Sequence, residues 1–521
     1  MTSPWPWALD ARTVDGLLAE RARTTPTQPG LIDEVGTTLT WSELERAVDG
    51  AVGWLSAQGI EPGTRVAWQL PTRISTAVTM LALRRLGAVQ APIIHLYRDK
   101  EVTAALRTFV ADVLLVPGLW NGFDYAEMAG GLDLAEVPRV IEVGHEIPAE
   151  AAGHDHREPS DADPDEVAWV YFTSGSSGAP KGARHTDTSL LTTGRAFGGQ
   201  GRLGEKSGEV AAMGFPIAHV GGIEYLIAAL AGGYPMLLLE AFVPDRAIKA
   251  FREYGVTTTG GAPPFYQALV AVARGVAPEP LLPTLRTLKG GGAPCSPELF
   301  AAVRETLGIP VAHDYGMTEV PMLGVADPRD PDEILAATDG RPVPGNEVRI
   351  MGPDGVPCPP MVPGEIQVSG AGVCRGYTDP EETTKAFTAD GWFRTGDLGL
   401  LHPTGHIEVT GRLKELIIRK GENIAPLEIE SALVTHPAIA EAAVVGLPDE
   451  ERGELVCAVV VPAPGTEPPT LDDLCDFLLD AGLMRQKLPE RLEVVDELPR
   501  TGLAKVAKAD LRRRYATPVS P

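Results

Sequence analysis

The sequence predicts an α/β fold: a large N-terminal domain of layered sheets and helices with a β-rich subdomain, then a small C-terminal α+β domain. Three observations predict it. With 521 residues, 44% of them hydrophobic and 22% charged, the chain is long enough for more than one core. Up to about residue 410, helix-spaced apolar segments alternate with short β-branched runs, as in a layered fold with parallel sheet. Near Gly411 the pattern restarts and fits one further compact unit.

In order, Leu17–Arg23 and Trp41–Gln58 read as helices, Arg65–Gln69 as a strand and Thr76–Leu86 as a helix. From about Leu285 the strands shorten, as at Val348–Met351 and Gly364–Ser369, and Pro and Gly turns bound them; a smaller β-rich subdomain is expected there. The last part reads as helix Pro426–Val434, strands Glu441–Gly446 and Glu454–Pro462, helix Leu471–Leu479, strand Arg491–Val495 and helix Val506–Tyr515. The Pro-rich stretch Pro462–Thr470 is expected to be a loop inside this unit.

Lys and Arg total 45 against 70 Asp and Glu, a net charge of −25, which disfavours nucleic acid or an anionic membrane as main partner. The same figure says little about small anions. Ten of the 14 basic residues from Arg412 onward lie in Arg412–Lys420 and Arg500–Arg514. The start has no basic cluster followed by an apolar core, so a cytoplasmic protein is expected. The most apolar stretch, Tyr225–Leu239, is broken by Gly232, Gly233 and Pro235 and predicts no membrane span. Five scattered cysteines without a CxxC pair suggest neither a disulfide framework nor zinc, and the histidines offer no metal-ligand spacing.

The strongest local signal is YFTSGSSGAPKG at Tyr171–Gly182, directly after the apolar run Val167–Phe172. Glycines let backbone N–H groups approach an anion, hydroxyls add donors and Lys181 adds charge: a phosphate-cradling loop. It is not a Walker loop, since GxxxxGK[ST] is absent and Pro180 precedes the lysine. A flexible Gly/Ser linker is the bland alternative; the preceding strand and the following Pro-Lys-Gly speak against it.

On these residues the sequence resembles the adenylate-forming superfamily of acyl-CoA synthetases, peptide-synthetase adenylation domains and luciferases, and among them most a bacterial acyl-CoA ligase. The signature Thr-Ser-Gly-x-x-Gly-x-Pro-Lys-Gly is met at 173–182. Seven further stretches follow in the family's order: FPIAHVGG (Phe215–Gly222), GGGAP (Gly290–Pro294), DYGMTE (Asp314–Glu319), GRPVP (Gly340–Pro344), WFRTGDLG (Trp392–Gly399), GRLKELIIRKGENIAPLEIE (Gly411–Glu430) and LPRTGLAK (Leu498–Lys505).

The resemblance implies ATP, Mg²⁺ and coenzyme A as co-substrates and cofactor, and a division into an acyl- and ATP-binding domain, 1–411, and a mobile lid domain, 412–521, hinged near Lys414. Thr173, Ser174, Gly175, Ser176, Ser177, Gly178 and Lys181 would cradle the phosphates. Thr318 would bind the α-phosphate and Glu319 the Mg²⁺, a hard cation suited to a carboxylate. Gly291, Gly292, Ala293 and Pro294 would form one wall for adenine and Tyr315-Gly316 the other, with Asp314 accepting from the adenine amino group. Asp397 would bind the ribose hydroxyls and Arg412 the ribose or phosphate. Lys505 would be the catalytic lysine of the small domain, and Lys420 and Gly421 would lie on the coenzyme A side.

One departure stands out: Ala504 precedes Lys505 where the family usually has glycine, and Lys508 replaces a frequent arginine. A displacement of Lys505 by about 1 Å costs on the order of 100-fold in rate. An enzyme weak in adenylation that mainly forms thioesters from a preformed acyl-adenylate is therefore an alternative.

Pro216 stands where peptide-synthetase domains carry an aspartate for the amino group, so an amino-acid substrate is disfavoured. His219 lies where acyl-CoA synthetases tend to carry a gating aromatic, and Gly221, Gly222 and Gly290 would leave room for a bulky chain. The expected activity is conversion of a hydrophobic carboxylic acid, through acyl-AMP, to its CoA thioester. Loading of a carrier protein is the other family alternative, and a homodimer is compatible with the resemblance. A non-catalytic nucleotide-binding protein fits poorly with Lys181, Glu319, Asp397, Arg412 and Lys505 kept together, and a serine hydrolase lacks its GxSxG elbow.

Overall fold

β-Branched runs bounded by turns become buried strands wherever helices cover both faces of the sheet. Val113–Val116, for example, is buried at every residue. The computed structural model describes residues 4–144, 146, 162–173, 180–420, 422–449, 451–500 and 506–516. The chain divides into two compact units, Met1–Val348 with Val368–Phe393, and Arg349–Gln367 with Arg394–Pro521.

The first unit holds two large sheets. One has six strands in the order Lys181–Thr186, Val167–Thr173, Val89–Pro92, Arg65–Trp68, Val113–Val116 and Arg139–Glu142. All its pairs are parallel except the first. The other has nine strands, ordered Arg341–Pro342, Val320–Val325, Val311–Met317, Thr287–Gly291, Thr258–Gly260, Ala211–Met213, Met236–Leu238, Pro29–Asp33 and Thr38–Thr40. Its middle is parallel and its edges antiparallel. Parallel neighbours need crossovers, supplied here by helices Val220–Gly232, Pro244–Glu253, Pro263–Val276 and Pro297–Leu307. The apolar stretch Tyr225–Leu239 is thus a core helix, a glycine turn and a strand. Among the described residues no helix is long and apolar enough to cross a membrane.

Helices Val14–Thr24, Trp41–Ala57 and Ile74–Leu86 and strand Arg65–Trp68 form where the apolar spacing places them. The change of texture at Leu285 is different. Strands Thr287–Gly291, Val311–Met317 and Val320–Val325 extend the nine-stranded sheet, because an antiparallel hairpin at a sheet edge gives the same short, turn-bounded runs as a separate β unit. The smaller sheet begins only at Asn346, with the order Asn346–Met351, Gly364–Gly370, Phe393–Leu401 and Ile407–Arg412.

In the second unit a five-stranded sheet runs Glu422–Ile424, Ile417–Arg419, Gly453–Pro462 and Ile439–Asp449, with Arg491–Val494 parallel to Gly453–Pro462. Helices Pro426–Leu433 and Leu471–Asp480 close one apolar cluster on it. Helix Lys508–Tyr515 belongs to a second cluster through Leu511, beside Cys457 and Val459. That helix starts two residues later than its spacing suggests, because Val506 bridges Arg500 in extended form.

One buried carboxylate fixes the segment that matters most for the site. Asp187 opens helix Asp187–Gln200 directly after strand Lys181–Thr186. It accepts from Arg84 Nε at 2.9 Å, Trp169 Nε1 at 3.1 Å and Val14 N at 3.0 Å. A buried charge with its lone pairs filled holds its neighbours in one arrangement.

Candidate active site

The glycine- and serine-rich loop is the connection of a hairpin. Strand Val167–Thr173 pairs antiparallel with Lys181–Thr186, and Thr173 stands opposite Lys181, so the two ends of the loop are cross-strand neighbours. Ser174, Gly175, Ser176, Ser177 and Gly178 lie outside the described residues. Lys181 pairs with Glu382 at 2.5 Å and sits 5.1 Å above the ring of Tyr377. Hydrogen bonds from Lys181 and Lys385 hold the Glu382 carboxyl down to about 2. This pair borders a cavity of about 350 Å³, lined also by Arg107, Thr108, Pro180, Thr378 and Asp379.

Thr318 and Glu319 are the two turn residues of a tight hairpin, since Met317 pairs with Val320 across it. They cap no helix. Three contacts fix the turn: His185 Nε2 donates to Thr318 O at 2.8 Å, Cys374 N to Glu319 O at 2.9 Å, and the Tyr377 hydroxyl to Glu319 Oε1 at 2.6 Å. Burial pushes His185 down to about 4, so the ring is neutral and carries its proton on the nitrogen facing the carbonyl. Glu319 is buried. A buried carboxylate at a turn suits a hard divalent cation that takes its remaining ligands from phosphates and water. No cluster of three or more acidic, His or Cys side chains able to hold a metal occurs among the described residues.

Strand Thr287–Gly291 lies beside Val311–Met317, with Gly291 opposite Asp314. A Cβ on Gly291 would meet Asp314 O at 1.9 Å, so glycine is what permits this approach. Gly292 has φ +88° with open space around its Cβ position, a conformation that favours glycine. Ala293 and Pro294 follow in the same turn. Tyr315 is buried and Gly316 half-buried on the next strand. Asp314 is engaged from within: Lys289 Nζ donates to its Oδ1 at 2.8 Å and Ala326 N at 3.0 Å, in a fully buried pair. Burial pushes the Asp314 carboxyl up and Lys289 pulls it back. Its Oδ2 is buried without a hydrogen-bond partner.

His219 is the N-cap of helix Val220–Gly232: its Nδ1 accepts from Gly221 N at 3.1 Å, and its ring meets Phe215 edge-on at 6.2 Å. Phe215 packs in turn on Tyr225 at 5.2 Å. The room read from the sequence beside Gly222 and Gly290 is taken by backbone. A Cβ on Gly222 would meet Ile217 O at 2.2 Å, and one on Gly290 would meet Gly261 O at 2.6 Å. These two glycines serve close packing of the chain on itself. At Gly221 the nearest atoms are side chains, His219 Nδ1 and Phe215 Cε2, both at 3.2 Å.

The second unit carries its own group. Asp397 is buried and stands opposite Arg412, whose Nε donates to Oδ1 at 3.0 Å while the guanidinium stays half-exposed. Lys414 lies in the turn Leu413–Glu415. Lys420 adopts φ +49° at the tip of the hairpin Ile417–Arg419 and Glu422–Ile424. Gly421, Ala504 and Lys505 lie outside the described residues. Lys508 is mostly buried between Glu415 at 3.0 Å and Glu430 at 2.8 Å.

Four residues of these groups carried no sequence signal: Tyr377, Glu382, His185 and Lys289. Tyr377 meets Glu319 across 58 positions and His185 meets Thr318 across 133, distances at which local spacing is silent.

Residues 18–378 match the family model described as AMP-binding enzyme, and residues 428–505 match that of the AMP-binding enzyme C-terminal domain. Feruloyl-CoA synthase from Amycolatopsis sp is 35% identical over 500 residues, covering 95% of this chain and 97% of that protein. The medium-chain fatty-acid–CoA ligase of Escherichia coli (strain K12) is 31% identical over 507 residues, covering 95% and 89%. Among solved structures, ATP-bound MatB from Rhodopseudomonas palustris superposes with a TM-score of 0.85 at 27% identity, covering 96% of this chain and 99% of that one. Together with the ordered motifs and the hairpin geometry, these matches make the chain a member of the AMP-binding family of adenylate-forming enzymes, within its AMP-forming acid–CoA ligases.

Proposed function

We propose that this protein converts a hydrophobic carboxylic acid to its coenzyme A thioester through an acyl-adenylate. The observation that carries the reading is the meeting of Lys181, expected at the phosphates, and Glu319, expected at the Mg²⁺, on one side chain, Tyr377. Pro216, the aromatic group of Phe215, His219 and Tyr225, and the resemblance to a feruloyl- and a medium-chain fatty-acyl-CoA ligase support an apolar acid.

In this reading the acid's carboxylate attacks the α-phosphorus of ATP and pyrophosphate leaves. Lys181 leaves Glu382 for the phosphates, lowering the charge that builds on them. Thr318, fixed by His185, donates its hydroxyl to the α-phosphate, and Glu319 would hold the Mg²⁺, which would supply neutralisation of phosphate charge. The backbone at Gly291–Pro294 and the ring of Tyr315 flank adenine, and Asp397 accepts from the ribose. Lys505 bridges carboxylate and nucleotide. The segment 412–521 then turns about Lys414 to present Lys420 and Gly421 to coenzyme A, whose thiolate displaces AMP.

The test is a panel of aromatic, alicyclic and medium-chain acids with ATP and coenzyme A, read by mass spectrometry for AMP and the thioester. The expected result is equimolar AMP and thioester for apolar acids and neither for amino acids. AMP with transfer only to a carrier protein, or no AMP with any acid, contradicts it.

A further inference from the structure

The two charged groups expected at the phosphates, Lys181 and Glu319, do not touch one another in any contact described above, yet both rest on Tyr377. Its position is unusually well determined. Residues 375–378 run as an added strand along Lys181–Thr186: Arg375 N donates to Arg184 O at 2.7 Å, Arg184 N to Gly376 O at 2.9 Å and Thr378 N to Gly182 O at 2.8 Å. Tyr377 N donates to Thr383 Oγ1 at 2.8 Å, and Gly182 has no side chain to keep Thr378 away. The side chain is buried, with its hydroxyl on Glu319 Oε1 at 2.6 Å and its face under the Lys181 ammonium at 5.1 Å.

A hydrogen bond from a hydroxyl to a carboxylate is charge-assisted and, out of water, strong enough to hold one rotamer. A ring face beneath an ammonium adds an attraction that keeps the cation near the ring without a compensating anion. We propose that Tyr377 is a positioning residue for adenylation: its hydroxyl aims Glu319 at the nucleotide-borne Mg²⁺, and its ring keeps Lys181 beside the phosphates once Glu382 lets go. The proposal rests on the functional reading above for what binds there. It assigns the two halves of one side chain to two separable tasks, so removing the hydroxyl alone should affect the cation and not the lysine.

The test is Mn²⁺ binding, read by electron paramagnetic resonance, to the full-length protein with a non-hydrolysable ATP analogue, for wild type, Tyr377→Phe and Tyr377→Leu. Thioester formation from a supplied acyl-adenylate is measured on the same variants. Tyr377→Phe is expected to weaken Mn²⁺ binding about tenfold, the lower end for a lost partner of a metal-bound carboxylate. Its affinity for the analogue at saturating Mn²⁺ and its thioester step should stay within about twofold of wild type. Tyr377→Leu should weaken the analogue as well, through Lys181. In a Glu319→Gln background Tyr377→Phe should add nothing to the loss of Mn²⁺. Unchanged Mn²⁺ binding by Tyr377→Phe overturns the proposal, and so does an equal loss of the thioester step, which would mark a general structural role. Because binding of the analogue and Mn²⁺ needs no acid, a wild type that turns over no acid defeats the functional reading and leaves this measurement intact.

Discussion

Each unit of the molecule holds a lysine against glutamate, and the two arrangements differ in what they leave possible. Lys181 faces one carboxylate, Glu382, with side chains about a quarter exposed and a cavity alongside. Lys508 faces two, Glu415 and Glu430, and ties the turn Leu413–Glu415 to helices Pro426–Leu433 and Lys508–Tyr515. One carboxylate can be exchanged for a phosphate at modest cost, because a partly exposed pair is weaker than a buried one. Two carboxylates around one ammonium form a brace: taking the lysine away leaves like charges facing each other. The same residue types thus make a partly exposed pair, open to exchange in the proposed function, in one unit and a structural joint in the other.

Breaking the first arrangement should have the largest effect. Lys181→Ala is expected to lower adenylation by on the order of 10²- to 10³-fold, the scale of a lost charge-stabilising donor. Thioester formation from supplied acyl-adenylate should persist, and ATP–pyrophosphate exchange set against that half-reaction checks both.

Acid should then separate the units. Burial holds His95, His185 and His313, all in the first unit, down to about 4. A histidine with a lowered folded-state value contributes fully above its unfolded value near 6.5, and that contribution is lost as pH falls from there toward 4. For His185 the shift corresponds to about 3 kcal/mol over that window. Denaturation of wild type and His185→Gln between pH 7 and 4 should show a shallower pH slope in the variant; equal slopes would contradict a buried, neutral His185.

Breaking the second arrangement is expected to cost less. Lys508→Met should destabilise the second unit by about 2 kcal/mol, below the range for a fully buried pair because these side chains keep some solvent. Resolved thermal unfolding checks it, with the first unit's transition unmoved. The smallest effect is expected for Glu382→Gln, which removes the anion competing with phosphate for Lys181. The KM for ATP should fall about two- to fivefold with kcat unchanged, as for a surface-grade pair; a rise in KM would show that Glu382 helps to place Lys181.

How much of this was legible in the sequence depends on distance along the chain. The strand that leads into the glycine- and serine-rich loop was, because the apolar run Val167–Phe172 directly precedes it; the returning strand Lys181–Thr186, which makes it a hairpin, was not. Thr318 and Glu319 could be picked out only by their place in a series of motifs, and the tight turn that presents them appears only when Met317 pairs with Val320. Tyr377 could not be found, since a tyrosine in GYTDPEETT has no spacing that points to Glu319. The glycines misled in part: Gly222 and Gly290 looked like space for a substrate, but whether a missing Cβ leaves a void or admits a neighbour depends on backbone from elsewhere, here Ile217 and Gly261. Lys508 could be named as a replacement for arginine, yet its two partners lie 78 and 93 positions away.

The most direct test of acyl-adenylate formation is acid-dependent ATP–pyrophosphate exchange by the wild-type protein without coenzyme A. Exchange that needs an apolar acid, and that gives way to thioester and AMP when coenzyme A is added, is the predicted result. Absence of exchange with every acid that yields a thioester from its supplied adenylate would contradict it, and would instead mark the protein, with Ala504 before its lysine, as a thioester former dependent on preformed adenylate.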